Sequence, residues 1–392
     1  MDVTQIANGA TDRFFDRFLS GLTQNQELPF SFTLHDRDDS HQIIGDSEPI
    51  FDLYIKTEAG RNALLSLNQL TITEAYMNGD IEAEGDIIQA MSLGDLMSDF
   101  NPLLKLWQRL QPMFFGREKC NPQWIAKHYD SENIQLIALD TNYHVYTPGI
   151  YESEEDSLEV GAERKLEFAF ESLNLKAGDR LLEVGSGWGG FLRYSASRGV
   201  HVTGITLSRH QAQFVENLIE EHQFNAEVRY QDFFTFKPDR KYDAISMMGV
   251  IEDLSDYESV MQKLPELLNP GGRVYLDFAA DNHTNGTHSF VTKYVWPGAF
   301  RHVDMPEFVA AVRKSPFEIA GLYNDRRNYY LWAKGGYERW MQRKAEAIAQ
   351  SDERFWRLFR ILCAGTANAM SKPSYSVTAY RVVLEYPADY RG

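Results

Sequence analysis

The chain has 392 residues, of which 43% are hydrophobic and 24% charged, and it carries a net charge of −17. Such a length and balance describe a soluble globular protein of two domains or one large one, able to bury a sizeable core without covalent help. The acidity argues against nucleic-acid binding and against simple electrostatic attraction to anionic lipid, so membrane contact would need apolar surface or a local basic patch.

The first residues, MDVTQIANGATDRFF, lack a basic region followed by an apolar run, so no signal peptide is expected. Residues 1–25 read as helical, with Phe14, Phe15, Phe18 and Leu19 on one side. Between 29 and 75, short alternating runs such as Phe30–Leu34 and Ile50–Ile55 read as strands. The stretch MNGDIEAEGD after Tyr76 is polar and turn-rich, and a helical stretch follows from about Ile87 to Phe115. A smaller α+β domain over residues 1–115 is therefore expected, with Gly116–Pro122 as the linker candidate and a second domain over 116–392.

From residue 158 the pattern changes to alternating helices and strands. A helical run to Leu173 precedes a strand at Arg180–Val184, a glycine-rich turn and a helix over Gly190–Ser197. Strands at Val200–Ile205, Ala226–Tyr230 and Asp243–Met248 follow, with helices at Arg209–His222 and Tyr257–Leu268. A turn at Asn269–Gly272 leads into the strand Arg273–Phe278. This order indicates a doubly wound α/β domain with a mostly parallel sheet. Residues 281–370 read as an insertion with helices, and Ser376–Glu385 as a closing strand. Cys120 and Cys363 are the two cysteines, and no CxxC or Cys/His cluster accompanies them. Neither a disulfide framework nor a metal site is expected, and a reducing cytoplasm is the simplest setting. No stretch approaches the length that spans a bilayer.

The densest signal is LLEVGSGWGG, Leu181–Gly190. Gly185 and Gly187 permit a tight turn and close backbone approach to a ligand, and the next helix offers free N–H groups to an anionic group. The spacing also fits a dinucleotide fingerprint, which is a weak signal alone. Two residues choose between ligands. A dinucleotide site wants a carboxylate at the end of the second strand, about 20 residues on; here that strand ends in GITLS, Gly204–Ser208. Glu183, two residues before Gly185, stands where methyltransferases commonly keep an acid.

LLEVGSGWGGF followed by VTGITLSRHQ resembles the cyclopropane fatty acid synthase and mycolic acid methyltransferase family, which typically reads DIGCGWGG and then VTGITLS. HYD at His128–Asp130 and YTPGIY at Tyr146–Tyr151 are similar to the family's HYDLGN and YSCAYF. TEAYMNGDIEAEGD, YERW at Tyr337–Trp340 and FWRLFRILCAGTANAM are similar to the bacterial full-length form with an N-terminal domain, so the resemblance covers nearly the whole chain. It implies a Rossmann-like class I S-adenosylmethionine-dependent methyltransferase domain with a helical insertion. The N-terminal domain would serve lipid engagement or assembly. Carried over residue by residue, cofactor contacts fall at Tyr146, Thr147, Glu183, Gly185, Ser186, Gly187, Thr206, Leu207, Gln211, Gln231 and Asp232. Ser186 replaces the family's usual Cys. The implied reaction is methyl or methylene transfer to the double bond of an unsaturated acyl chain, with a cytoplasmic enzyme touching the inner membrane surface and forming a homodimer.

In the family a bound bicarbonate, held by Cys, Glu, His and Tyr, removes a proton after methyl transfer. Glu252 in GVIEDL and Tyr329 in RNYYLW match two of these; Pro148 and Asp277 stand at the Cys and His positions. A second carboxylate beside Glu252 would repel bicarbonate, which puts that site, and cyclopropanation with it, in question. Either Asp277 and Glu252 form a proton-sharing pair in which Asp277 is the base, or Asp277 is an ordinary strand-end carboxylate. The aromatic segment Phe290–Phe300 either lines an acyl channel or packs in the core. The basic helix Arg354–Arg360 either touches a membrane or is a core helix with a solvated basic edge. His288 and His302 read as structural or surface residues. Two other functions stay open: C-methylation of a non-lipid small molecule on the same scaffold, and non-catalytic lipid or partner binding, against which the intact cofactor turn argues.

Overall fold

The computed structural model describes residues 9–23, 28–102, 142–254, 256–281, 288–295, 301–372 and 377–390, which fall into two units. The first begins with α1 (Gly9–Leu22), whose Phe14, Phe15, Phe18 and Leu22 are buried in its core. Their recurrence at three to four residues gives the helix one apolar stripe. β1 (Ser31–His35), β2 (His41–Ile44), β3 (Pro49–Ile55) and β4 (Ile81–Gly85) form a sheet in the order β2-β1-β3-β4. Only β1 and β3 run parallel. Phe32 and Phe51 stack across that pair at 4.9 Å.

Two helices that the alternating pattern did not show, α2 (Glu58–Ser66) and α3 (Gln69–Met77), lie between β3 and β4. Each starts at a side-chain cap: Thr57 accepts from the Gly60 N–H, and Asn68 from that of Thr71. β4 is itself a strand where a turn-rich stretch was expected. Glu82 and Glu84 alternate with Ile81 and Ala83, and of these only Ile81 is fully buried, so the apolar signal is thin. α4 (Ile87–Ala90) and a 3₁₀ turn at Met91–Leu96 begin the expected helical stretch. Its continuation to Phe115, the linker candidate Gly116–Pro122, Cys120 and His128–Asp130 lie outside the described residues.

The second unit opens with α5 (Leu158–Ser172), followed by β5 (Arg180–Val184), α6 (Gly190–Ala196), β6 (His201–Thr206), α7 (Arg209–His222) and β7 (Ala226–Tyr230). β8 (Tyr242–Met248), α8 (Tyr257–Leu267), β9 (Leu268–Asp281), β10 (Val303–Asp304), α9 (Met305–Arg313), β11 (Glu318–Asn324), α10 (Arg326–Gln342) and β12 (Val377–Glu385) complete it. The sheet order is β11-β12-β9-β8-β5-β6-β7, with β10 beside β9. β5 to β9 are parallel, and β12 runs antiparallel to both β9 and β11. β9 begins at Leu268, because the residues read as a turn at 269–272 already belong to the strand.

Alternate residues feed two cores, one on each face of the sheet. Leu181, Ala244, Tyr275 and Val383 pack with Leu166 and Ala169 of α5, whereas Leu182, Ile245, Leu276 and Leu384 pack with Val260 and Leu264 of α8. Strand order reverses at β5, between β6 and β8. In open α/β sheets such a reversal leaves a crevice at the carboxyl ends of the strands, where ligands bind.

Two helices of the expected second domain belong to the first unit instead: residues 343–368, comprising α11 (Lys344–Gln350) and most of α12 (Glu353–Ser371), cluster with residues 1–102. Charge explains this. Arg357 and Arg360 are buried; Arg357 reaches Glu82 at 2.5 Å and the Tyr76 carbonyl at 3.1 Å, and Arg360 donates to the Tyr76 hydroxyl at 2.6 Å. Arg354 donates to the Asn78 side chain at 3.3 Å. The helix therefore has no solvated edge at Arg357 and Arg360. Among the described residues no helix is long and apolar enough to cross a membrane.

Candidate active site

The site is built at the carboxyl ends of β5, β6, β8 and β9. Past β5 the chain turns through Gly185 (φ 73°) and Gly187 (φ 52°), left-handed backbone that favours glycine. The Gly185 and Ser186 N–H groups donate to the Ile205 carbonyl at 2.8 and 3.1 Å, tying the turn to β6. Ser186 is buried, and its hydroxyl donates to the same carbonyl at 3.4 Å. A Cβ at Gly185 would meet Val250 at 2.4 Å, whereas one at Gly187 meets nothing within 4 Å. Packing demands the first glycine; the second faces open space.

Glu183 precedes the turn and is buried. The Leu192 N–H donates to it, and its Oε2 has no partner among the described residues. Burial pushes its pKa up to about 8, opposed in part by the Leu192 bond. At the end of β6, the Thr206 hydroxyl lies 3.0 Å from the Gln211 side-chain oxygen, and both residues are buried. Ser208 caps α7, accepting the Gln211 N–H at 3.2 Å, while Leu207 beside it is half-buried. Past β7, Gln231 donates its backbone N–H to the Thr206 carbonyl at 3.0 Å and its side-chain amide to the Thr235 hydroxyl at 2.7 Å. Asp232 accepts the Phe234 and Thr235 N–H groups at 3.0 and 3.2 Å, closing its own turn. These residues fit a cofactor carrying a ribose: backbone open at Gly187, and a buried carboxylate at Glu183 with an oxygen to be satisfied by hydroxyl donors.

The second cluster lies past β8 and on β9. Glu252 is buried, with Oε1 accepting the Ala279 N–H at 2.9 Å and Oε2 unpartnered among the described residues. Burial pushes its pKa up to about 8, and nearby Asp253 and Asp277 add to the rise. Burial alone pushes Asp253 up to about 7. Tyr329, on α10, is held well above the ordinary tyrosine range by burial, with Glu252 and Asp277 contributing. Its ring meets the edge of Trp332 at 5.4 Å, and Trp332 meets Tyr146 at 6.0 Å.

Asp277 sits opposite Met248 in the β8–β9 register and leaves the sheet toward α5. There Lys165, fully buried, brings Nζ to 2.7 Å from Asp277 Oδ2 and hydrogen-bonds the Thr147 hydroxyl. The proton-sharing pair expected of Asp277 and Glu252 is thus corrected: Asp277 has an ammonium partner and Glu252 a backbone donor. The donor set for bicarbonate is not assembled either. Pro148 offers no side-chain donor, and Asp277 is an anion already paired, so that ion does not fit these residues.

Sequence reasoning missed Lys165 and Trp332. Lys165 left a signal: it lies on the apolar stripe of α5 with Leu158, Ala162, Leu166 and Ala169, where an unpaired lysine would be costly. His302 pairs with Asp281 at 2.8 Å, and His288 lies 3.8 Å from Asp99. Val291–Val295 of the aromatic segment form a π-helical turn, and residues 296–300 lie outside the described residues.

Sheet order and glycine turn are those of the Rossmann-like class I fold, and the family match makes the chain an S-adenosylmethionine-dependent methyltransferase. The chain belongs to the mycolic acid cyclopropane synthetase family, whose sequence model matches residues 117–380. A second model, described as a domain of unknown function, matches residues 18–94. Among relatives, a probable fatty acid methyltransferase of Mycobacterium tuberculosis is 25% identical, covering 86% of this chain and 88% of its own length. The cyclopropane-fatty-acyl-phospholipid synthase of Escherichia coli is also 25% identical, over 85% of this chain and 88% of its own. The solved cyclopropane synthase MmaA2 from Mycobacterium tuberculosis shares the fold, with a TM-score of 0.62 and 21% identity over 67% of this chain and 97% of that one.

Proposed function

We propose that the chain transfers a methyl or methylene group to the double bond of an unsaturated fatty acyl chain, held in a phospholipid. The observation that carries this reading is the extent of the match. Family membership spans 117–380, and likeness to a fatty acid methyltransferase and a fatty-acyl-phospholipid synthase extends over 86% and 85% of the chain. S-adenosylmethionine, when bound, supplies an electrophilic methyl group. The chain's part is to orient and exclude water. Glu183, Thr206 and Gln211 hold the ribose side, and Gly187 leaves room for close approach. Tyr146 and Trp332 wall the path between the turn and Tyr329, where an alkene lies in line with the methyl. Glu252, kept neutral at pH 7 by burial, adds no charge beside a cationic acyl intermediate. The first unit, which holds none of the cofactor-matching residues, engages the lipid or its surface.

Lipid mass spectrometry of cells with and without the protein tests this. The expected result is acyl chains heavier by one CH2 unit, either as a ring at a former double bond or as a methyl branch beside a retained one. Unchanged acyl chains, with a methylated small molecule in their place, would favour the second reading, C-methylation of a non-lipid substrate. That reading is motivated by Pro148 and Asp277.

A further inference from the structure

The Lys165–Asp277 ion pair has a shape that ordinary core packing does not explain. Lys165 rises from α5 and contacts two residues from separate segments, Asp277 on β9 and Thr147 on the segment before α5. Thr147 is held in turn by Gly249 (φ 62°), where a Cβ would sit 2.7 Å from the Thr147 methyl, and the Gly249 N–H donates to the Asp277 carbonyl at 3.0 Å. Four residues from four segments thus lock together beside Glu252 and Tyr329. Inserting an ammonium and a carboxylate here costs desolvation that an apolar pair would not incur. A chemical use for the carboxylate accounts for that cost.

We propose that Lys165 is a positioning residue: by pairing with Asp277 it maintains, inside the site, a carboxylate that takes the proton released after methyl transfer, in place of a dissolved anion. This role rests on the acyl-transfer reading above. Once the alkene has taken the methyl group, the acyl chain carries one positive charge. Asp277 accepts a proton either from the transferred methyl group, which closes a ring onto the cationic carbon, or from a carbon next to the cationic centre, which leaves a double bond. The electron pair of that C–H bond becomes the new ring bond or double bond, and the charge is discharged. Asp277 then returns the proton to water as product leaves. The ammonium at 2.7 Å offsets the cost of keeping a carboxylate buried this deeply. Other ionisable groups around Asp277 are Glu252 beyond β8, Tyr329 on α10, Tyr275 on its own strand, and Asp325 with its partner Arg381 toward β12.

The test uses the full chain, S-adenosylmethionine and vesicles of dioleoyl phosphatidylethanolamine and phosphatidylglycerol, with products resolved by mass spectrometry. A cation that loses its proton slowly is captured by water, so the variants report through methylated alcohols. In Lys165→Met, products of proton loss should fall about 100-fold relative to alcohols, the lower end of the range for loss of a general base. Lys165→Arg should restore most of the ratio, and S-adenosylhomocysteine affinity should stay within about twofold by calorimetry. Asp277→Asn, which keeps the side-chain shape, should give the same product change, and it carries the prediction if Lys165→Met does not fold. The double variant should be no worse than either single one. An active wild type whose variants keep its product ratio, or one that stops turning over without bicarbonate, overturns this role alone. A wild type that leaves the lipid untouched overturns the acyl reading and this role with it.

Discussion

At Glu183 a carboxyl group pushed up to about 8 is mostly protonated at neutral pH, yet ribose hydroxyls are best accepted by the ionised form. Binding S-adenosylhomocysteine should therefore release close to one proton at pH 7, seen by calorimetry in buffers of different ionisation heat, and Glu183→Gln should abolish the release. The same shifts set a stability trend. Glu183 and Glu252 are raised from an ordinary 4.5 to about 8, and Asp253 from 3.8 to about 7. A raised folded-state pKa favours folding fully below the unfolded value, and that favour is lost as pH climbs through the folded one. From these groups the ligand-free protein should lose thermal stability between about pH 5 and 8. The two glycines should part company as well. Gly187→Val should cost about 1–2 kcal/mol of backbone strain and abolish cofactor binding, whereas Gly185→Val, driven into Val250, should fail to fold. Most of the turn could be read from sequence because Glu183, Gly185 and Gly187 are neighbours in the chain. Lys165 could not be paired that way, since its partners, Thr147 and Asp277, are brought to it only by the sheet.

Elements show the same divide between local and distant causes. Most strands and helices from β5 to α8 were legible because they bury an apolar stripe or run, whereas β7, with only Val228 buried, was legible from its place in the alternation of strands and helices. β4 was not, because only Ile81 is fully buried and Glu82, unlike the exposed Glu84, takes part in packing. Glu82 receives Arg357 at 2.5 Å and Arg360 at 3.4 Å, so the acidic stretch after Tyr76 and the basic helix near the end of the chain are two halves of one contact. Neither half announces the other in sequence. Arg357→Met should destabilise the protein by about 3 kcal/mol, the low end for breaking a buried pair because Glu82 stays 23% exposed. Denaturant midpoints check the value, and adding Glu82→Gln should cost less than the sum of the two single changes.

For the whole molecule, the two units do not correspond to two consecutive stretches of chain. The first is completed by residues 343–368, and the second by β12 at Val377–Glu385, which fills the place between β9 and β11. A shortened protein starting near Gly116 would strip the cover from buried Trp356, Arg357, Phe359 and Arg360, so it should be insoluble unless 343–368 is replaced as well. The interleaving also governs the order of events during synthesis. A growing chain that has reached residue 342 has made nearly every hydrophobic side chain of both cores and can finish neither. It waits with an unfilled slot in one sheet and an unanswered acidic strand in the other. Contacts this distant along the chain form late and slowly. Fragments ending before residue 343 should therefore be recovered bound to chaperones or aggregated, whereas the chain carried through Glu385 should fold both halves within the same interval.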